Sequence, residues 1–301
     1  MDRFKLLGQY AHLHFIVVLL GFTAILGALI TMDAITLVWY RMFFATLGLM
    51  VYLYIRKISF RVNSRQLVHL FSIGVLVALH WITFFHAIKV SNVSVTLGVF
   101  ASVTLFTSFL EPILQKRKIF WLEVVVGLVI IGGIYLIFQY EMHFIEGILF
   151  ALLSAFLNGL FVVLNRNISH RWHPVVISFY ELWGGFMAIT LFYFFTAGIT
   201  LEKLSPGTMD LIWILILSII CTSYAFTAIV ELTKTLSAYT IMLAINLEPV
   251  YGIFLAFLIF GQTEAMSGGF YLGTSVIIIA VFSYPFLKRK FTPRLTLPPP
   301  G

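Results

Sequence analysis

Apolar residues run along this chain in long blocks, separated by short polar breaks. Ten blocks approach the roughly 20 residues that a helix needs to cross a bilayer. They predict spans at 13–32, 34–55, 67–88, 92–114, 119–139, 144–165, 174–197, 209–231, 237–260 and 267–287. The breaks are short, so consecutive helices are expected to pack as antiparallel neighbours. Arg3 and Lys5 precede the first block much as they would in a signal peptide. That block is too long for a signal-peptide core and lacks a small-x-small cleavage site, so it is read as the first span. The end of the chain carries Pro293 and Pro298 to Pro300, and 291–301 is expected to be a disordered tail.

One block breaks the pattern. Ser237–Gln262 is long enough to span, yet Asn246, Glu248 and Pro249 sit near its middle. A carboxylate at membrane depth costs at least about 2.5 kcal/mol. Proline removes a backbone donor and clashes with the carbonyl four residues back. Such a break is tolerated where protein or water satisfies the freed groups. Two readings follow: a polar cavity at mid-membrane, or a proline kink whose acid is paired for packing.

Composition fixes the class. The chain has 301 residues, 61% hydrophobic and only 10% charged, where a soluble domain carries about 25% charged residues. An all-α membrane protein is expected, with little left for a soluble domain. Aromatic residues, at 17%, suit lipid-facing and interfacial surfaces. Cys221 is the sole cysteine, so no internal disulfide exists. The net charge of +7 is a topology signal rather than a nucleic-acid footprint. With the N-terminus in the cytoplasm, 16 of the 19 Lys and Arg fall on the inner side. The positive-inside rule therefore expects both termini in the cytoplasm and a multi-pass protein of the inner (plasma) membrane. The outer loops then carry Asp33, Glu141, Glu146, Glu202, Asp210 and Glu264.

The two halves repeat. His86-Ala87-Ile88-Lys89 lies on Glu231-Leu232-Thr233-Lys234 at an offset of 145, and Tyr40-Arg41 lies on Tyr180-Glu181 at 140. Five spans per half is an odd number, so the second copy enters the membrane inverted. Inverted repeats place substrate at the midplane between the halves. The expected units are 1–140 and 141–290, each a five-helix repeat.

Several motifs, in order along the chain, carry a resemblance. They are Tyr40-Arg41 in span two, Phe84-Phe85-His86-Ala87-Ile88-Lys89 ending span three, Leu247-Glu248-Pro249 in span nine, and Gly261-Gln262 after it. In these the chain resembles the EamA-type branch of the drug/metabolite transporter superfamily, over roughly residues 10–290. The resemblance implies a ten-helix bundle that exports or exchanges small metabolites by alternating access, with amino acids and related amines as common cargo. The chain departs from the family pattern in three places. His86 stands where the family often has Tyr, and Gln262 where it usually has Glu. Glu111-Pro112 falls eight residues after Val103, the offset-145 counterpart of Glu248.

The candidate site residues follow from these readings. Glu248 is expected to meet a cationic group of substrate or to carry a proton, with Asn246 beside it. His80 and Trp81 are either cavity wall or packing. Asn158 and Tyr224 either bond substrate or join helices, as polar side chains do in membranes. Arg41 and Glu181 are either gates or structural clamps, and a direct pair between them is not expected, because they lie at different depths. His86 and Glu231 read as mouth or gate residues, and Pro249 as the helix break. His80 and His86 are six apart, which does not suit a shared metal, and no cofactor motif appears. The expected partners are a small-molecule substrate, the lipid bilayer and a coupling proton, with no nucleic acid, in a monomer or weak dimer. The alternatives are an intramembrane enzyme, for which no nucleophile or metal motif is found, and a non-transporting receptor or scaffold.

Overall fold

The computed structural model describes residues 3–59, 61–116, 118, 121–168, 172–196, 200, 205–232, 235–236, 241 and 244–291, with the side chains of 3–6, 166–168, 230, 285, 288 and 289 excepted. Lys234, the start of the ninth expected span and the tail after Phe291 lie outside the described residues.

The described residues form helices and no strand. In chain order they are α1 (Arg3–Leu29), α2 (Ala34–Ile55), α3 (Ser64–Val90), α4 (Val93–Phe100), α5 (Val103–Leu114), α6 (Trp121–Tyr140), α7 (Ile145–Ile168), α8 (Pro174–Thr196) and α9 (Thr208–Leu215). A π-helical segment, Ile216–Tyr224, follows, then α10 (Ala225–Leu232), α11 (Glu248–Phe260) and α12 (Gly268–Phe291). Eight helical stretches are long and apolar enough to cross a membrane, and Gly268–Tyr284 is a shorter apolar helix. The expected count of ten is met only in part. The ninth expected span is described as a 13-residue helix, α11, preceded by a turn at 246–247. The eighth is not one regular helix, because the π segment interrupts it.

Helix direction alternates, so the bundle has two ends. One carries Arg56, Lys57, Arg61, Arg65, Lys116 and Lys118 in its loops; we call it the basic end. The other carries the loop acids and is the acidic end. Three of those acids serve amides at or just before helix starts, whose first N–H groups lack partners within the helix. Asp33 accepts from the amides of Ile35 and Thr36 to cap α2. Glu264 accepts from the amides of Val93 (3.0 Å) and Ser94 (2.8 Å) at the start of α4. Glu141 accepts from Ser267 just before α12. Asp210, in the first turn of α9, accepts from the Thr31 amide and hydroxyl.

Packing follows an exchange of the two halves. α3 packs on α7 and α8, and the matching set in the other half is the π segment and α10 on α1, with the π segment also on α2. α5 packs on α7 as α11 packs on α1, and α6 pairs with α12. Glycines allow the closest approaches. A Cβ on Gly273 would lie 2.6 Å from the Gly133 carbonyl, and one on Gly21 2.9 Å from the Gly252 amide. A Cβ on Gly74 would collide with the Glu181 carbonyl, and one on Gly185 would lie 2.7 Å from the Gly74 carbonyl. Small residues of this kind let membrane helices gain dispersion and polar contact where no hydrophobic drive separates them from lipid.

Candidate functional site

The polar centre is built by helices of both halves. Arg41 on α2 is only 4% exposed. Its Nε donates to the hydroxyl of Thr222 at 3.1 Å. Its guanidinium lies 3.7 Å from the centroid of the Trp81 ring and 5.5 Å from that of Phe85, both on α3. A desolvated guanidinium over an aromatic face gains about 2 kcal/mol. The π segment aims Thr222 at this point, and the Thr222 hydroxyl donates onward to the carbonyl of Leu217. π segments are rare and occur often at functional sites. Periodicity alone gave no warning of this one, and the hydroxyl cluster Ser218, Thr222 and Ser223 was the one available signal.

Glu248 opens α11. Leu247 is the N-cap, and Pro249 falls in the first turn, where its missing N–H has no helical acceptor to lose. The break therefore precedes Pro249, and the proline starts a half-helix rather than kinking a whole one. Asn246 lies in the turn, so the angular relation of a regular helix does not hold between it and Glu248. The Glu248 carboxylate sits at the positive end of the half-helix and interacts electrostatically with Arg41 without ion-pair contact. Gly21 of α1 lets that helix pass against the Glu248 carbonyl. Both Glu248 and Asn246 are half-buried.

The first half has the same device. α4 ends at Phe100, Ala101 and Ser102 form a turn, and α5 restarts at Val103. Shifting by 145 residues lays this turn on 246–247 and Val103 on Glu248. Ser102 is the N-cap of α5, yet its side chain makes no cap bond, and its hydroxyl is buried without a protein partner.

The other sequence candidates are placed as follows. His80 is buried between α3 and α7. Its Nδ1 reaches the Ser154 carbonyl (3.1 Å) and hydroxyl (2.8 Å), and its ring stacks on Phe100. The Ser154 hydroxyl donates back to the His80 carbonyl at 3.0 Å. Trp81 faces Arg41, as described. Asn158 is half-buried on α7, where Gly159 packs against α5. Tyr224 is 40% exposed, with its hydroxyl 2.7 Å from His12 Nε2. Glu181 is buried on α8 and accepts from Asn165 Nδ2 at 3.1 Å, with no ion pair to Arg41. His86 meets Glu146 at 3.2 Å near the acidic end. Glu231 accepts from Arg56 (2.9 Å) and the Tyr52 hydroxyl (3.1 Å) at the basic end. Thr222, Asn165 and Ser154 were not singled out from sequence, because each matters through a partner on a distant helix.

Two pockets are described. One, about 400 Å³, opens at the basic end between Tyr52, Arg56, Lys57, His173 and Glu231. The other, about 370 Å³, is an apolar groove between α11 and α12, with Thr274 and Ser275 in its wall. Neither is lined by Glu248 or Arg41. Among the described residues, no three His, Cys, Asp or Glu side chains cluster in a way that would hold a metal ion.

A search of curated proteins returns no match. A solved structure described only as "Crystal structure of protein" is 17% identical, with a TM-score of 0.64, covering 93% of this chain and 98% of that one. At that identity the likeness speaks for the fold alone. The model of the EamA-like transporter family matches twice, over residues 11–139 and 145–282. With both halves matched, the chain belongs to the EamA-like transporter family.

Proposed function

We propose that this protein moves small zwitterionic metabolites of the amino-acid class across the membrane by alternating access, as a secondary transporter. A membrane transporter role follows from the family. The observation that carries the finer reading is the meeting of opposite charges at the break of span nine: buried Arg41 stacked on Trp81, with the half-buried Glu248 in electrostatic reach of it at the start of α11. A guanidinium suits a carboxylate as a bidentate donor, and the Glu248 carboxylate suits an ammonium group. Substrate would replace the interaction of each with the other, so it would enter without leaving a buried charge uncompensated. Half-helix termini at the midplane play this part in transporters built from inverted repeats. The basic end is read as cytoplasmic, with both termini there, on the positive-inside rule. The chain carries no nucleotide-binding loop, so a gradient supplies the drive.

Counterflow in liposomes tests the reading, using a labelled amino-acid mixture and, separately, amines lacking a carboxylate. Zwitterions are expected to exchange and simple amines to exchange poorly. Equal flux in wild type and Glu248→Gln removes Glu248 from the mechanism. Cys221 gives a second readout. It is the sole cysteine, buried on the π segment next to Thr222. Its reaction with a maleimide is expected to speed up during turnover. A thiol that stays inert through active exchange argues against opening at this centre.

A further inference from the structure

The buried acids of this protein fall into two kinds. Asp210, Glu264, Glu141 and Glu123 accept from donors on other elements and have no fully buried carboxylate oxygen that lacks a partner. Glu181 is different. It is 4% exposed and lies about two turns into α8. Oε2 takes one bond, from Asn165 Nδ2 on α7. Oε1 is buried and no protein group donates to it. Among the described residues it is the one fully buried carboxylate oxygen in that position. The other end of the same bond is also incomplete, because Asn165 Oδ1 is buried without a protein donor.

We propose that Glu181, with Asn165 as its partner, is an intramembrane proton-binding site, occupied by a proton in this arrangement. An ionised carboxylate here would depend on a single neutral amide, and a buried charge needs a fuller set of donors or a counter-ion. The neutral acid carries no charge and supplies the missing donor. Its O–H has an unused acceptor beside it in the Asn165 amide oxygen. Amide oxygen and nitrogen are interchangeable by a rotation of the side chain, so either orientation leaves that acceptor to the acid proton.

The elements around Glu181 bring other titratable groups. α2 supplies Arg41 and Tyr40, α3 supplies His69 and His80, α10 supplies Glu231, and α8 itself supplies Tyr180. Arg41 is committed to Thr222 and Trp81, His80 to Ser154, and Glu231 to Arg56. None of the groups named pairs with Glu181. α3 and α8 pack closely beside the site, at Gly74 and Gly185. Release of the proton means breaking the acid O–H bond and passing the proton to water, which needs α8 to part from α7 or α3. On the transport reading above, that step is where a proton would travel with the conformational change.

Infrared difference spectroscopy of the full protein in liposomes at neutral pH, without substrate, tests the proposal. A carboxylic-acid C=O band is expected that shifts in heavy water, disappears in Glu181→Gln and survives in Glu248→Gln. Asn165→Leu is expected to retain the band at a shifted frequency, which keeps the test open should Glu181→Gln fold poorly. A Glu181→Gln difference spectrum showing only loss of an ionised carboxylate overturns the proposal, as does an acid band unmoved by Asn165→Leu. A band that behaves as expected while counterflow fails leaves the proton site standing and sinks the transport reading. Active counterflow without the band does the reverse.

Discussion

The two broken spans share a backbone and differ in chemistry. Span four turns at Ala101 and Ser102 and restarts at Val103; span nine turns at 246–247 and restarts at Glu248. The offset of 145 residues makes the turns equivalent. Both restarts direct helix N-terminal amides at the middle of the bundle, and the inversion sends the two half-helices to opposite ends. In span four a valine and a partnerless serine occupy that point. In span nine a glutamate faces a buried arginine. The two repeats thus carry equivalent breaks, and the side chains make only one of them a charged site.

The largest expected effect breaks this difference directly. Glu248→Gln keeps the shape and removes the charge that faces Arg41. On the proposed reading Glu248 bonds the substrate ammonium group, and a hydrogen bond to a charged group is worth about 1.5–3 kcal/mol. Initial counterflow rates are therefore expected to fall by about 100-fold, with the protein still folded by size-exclusion chromatography. Val103→Glu tests the same comparison from the other half. The new acid finds no Arg41 equivalent on its side, since the repeat partner of Arg41 is itself the acid Glu181. Placing it at membrane depth costs at least about 2.5 kcal/mol. A marked drop in unfolding temperature and folded yield is expected. A Val103→Glu protein as stable as wild type would mean the two breaks are electrostatically alike.

How much of this could be read from the chain depends on how far each partner lies in sequence. Long apolar blocks announced the spans, because each block exceeds the bilayer thickness without needing any contact to be known. The break in span nine was legible because Asn246, Glu248 and Pro249 are costly there. The break in span four was not, since Phe100-Ala101-Ser102-Val103 contains nothing a helix rejects; only the offset from 246–247 points to it. The loop acids were counted as weak topology markers, although Asp33 three residues before Thr36 has the spacing of an N-cap. The Arg41–Trp81–Thr222 contact joins residues 40 and 141 positions apart. No local pattern encodes it, because the π segment that turns Thr222 inward is set by packing.

Effects of middling size come from contacts that hold the halves together at the acidic end and across α3–α8. Glu264→Gln leaves one of two amides at the α4 start without its carboxylate oxygen. A buried donor left unserved costs about 1–3 kcal/mol. Gly74→Ala drives a methyl into the Glu181 carbonyl, and overpacking of this kind costs about 1–3 kcal/mol. Both are read as lowered unfolding temperature in detergent. Gly132→Ala is the control on the α6 glycine pair, because a Cβ there meets nothing within 4 Å; only its neighbour Gly133 faces α12.

The smallest effect is expected at the basic end. Arg56 and Glu231 form a 2.9 Å ion pair, but their side chains are 52% and 44% exposed. Water and salt screen such a pair, and exposed ion pairs contribute about 0.2–1 kcal/mol. Arg56→Gln should therefore shift unfolding little, and less still at high salt, where the wild-type pair is already weakened. The asymmetry is mechanical as well as energetic. Among the described residues, buried carboxylates bonded to backbone amides hold the acidic end, whereas the basic end has the buried contact of Glu123 with the Tyr284 hydroxyl and, beside a 400 Å³ pocket, the screened Arg56–Glu231 pair. Parting the helices beside this pocket breaks the screened pair, the weaker kind of contact. Arg56→Gln is thus expected to raise the rate of Cys221 labelling while leaving stability nearly unchanged. Equal labelling rates in Arg56→Gln and wild type would show that this pair does not hold the basic end shut.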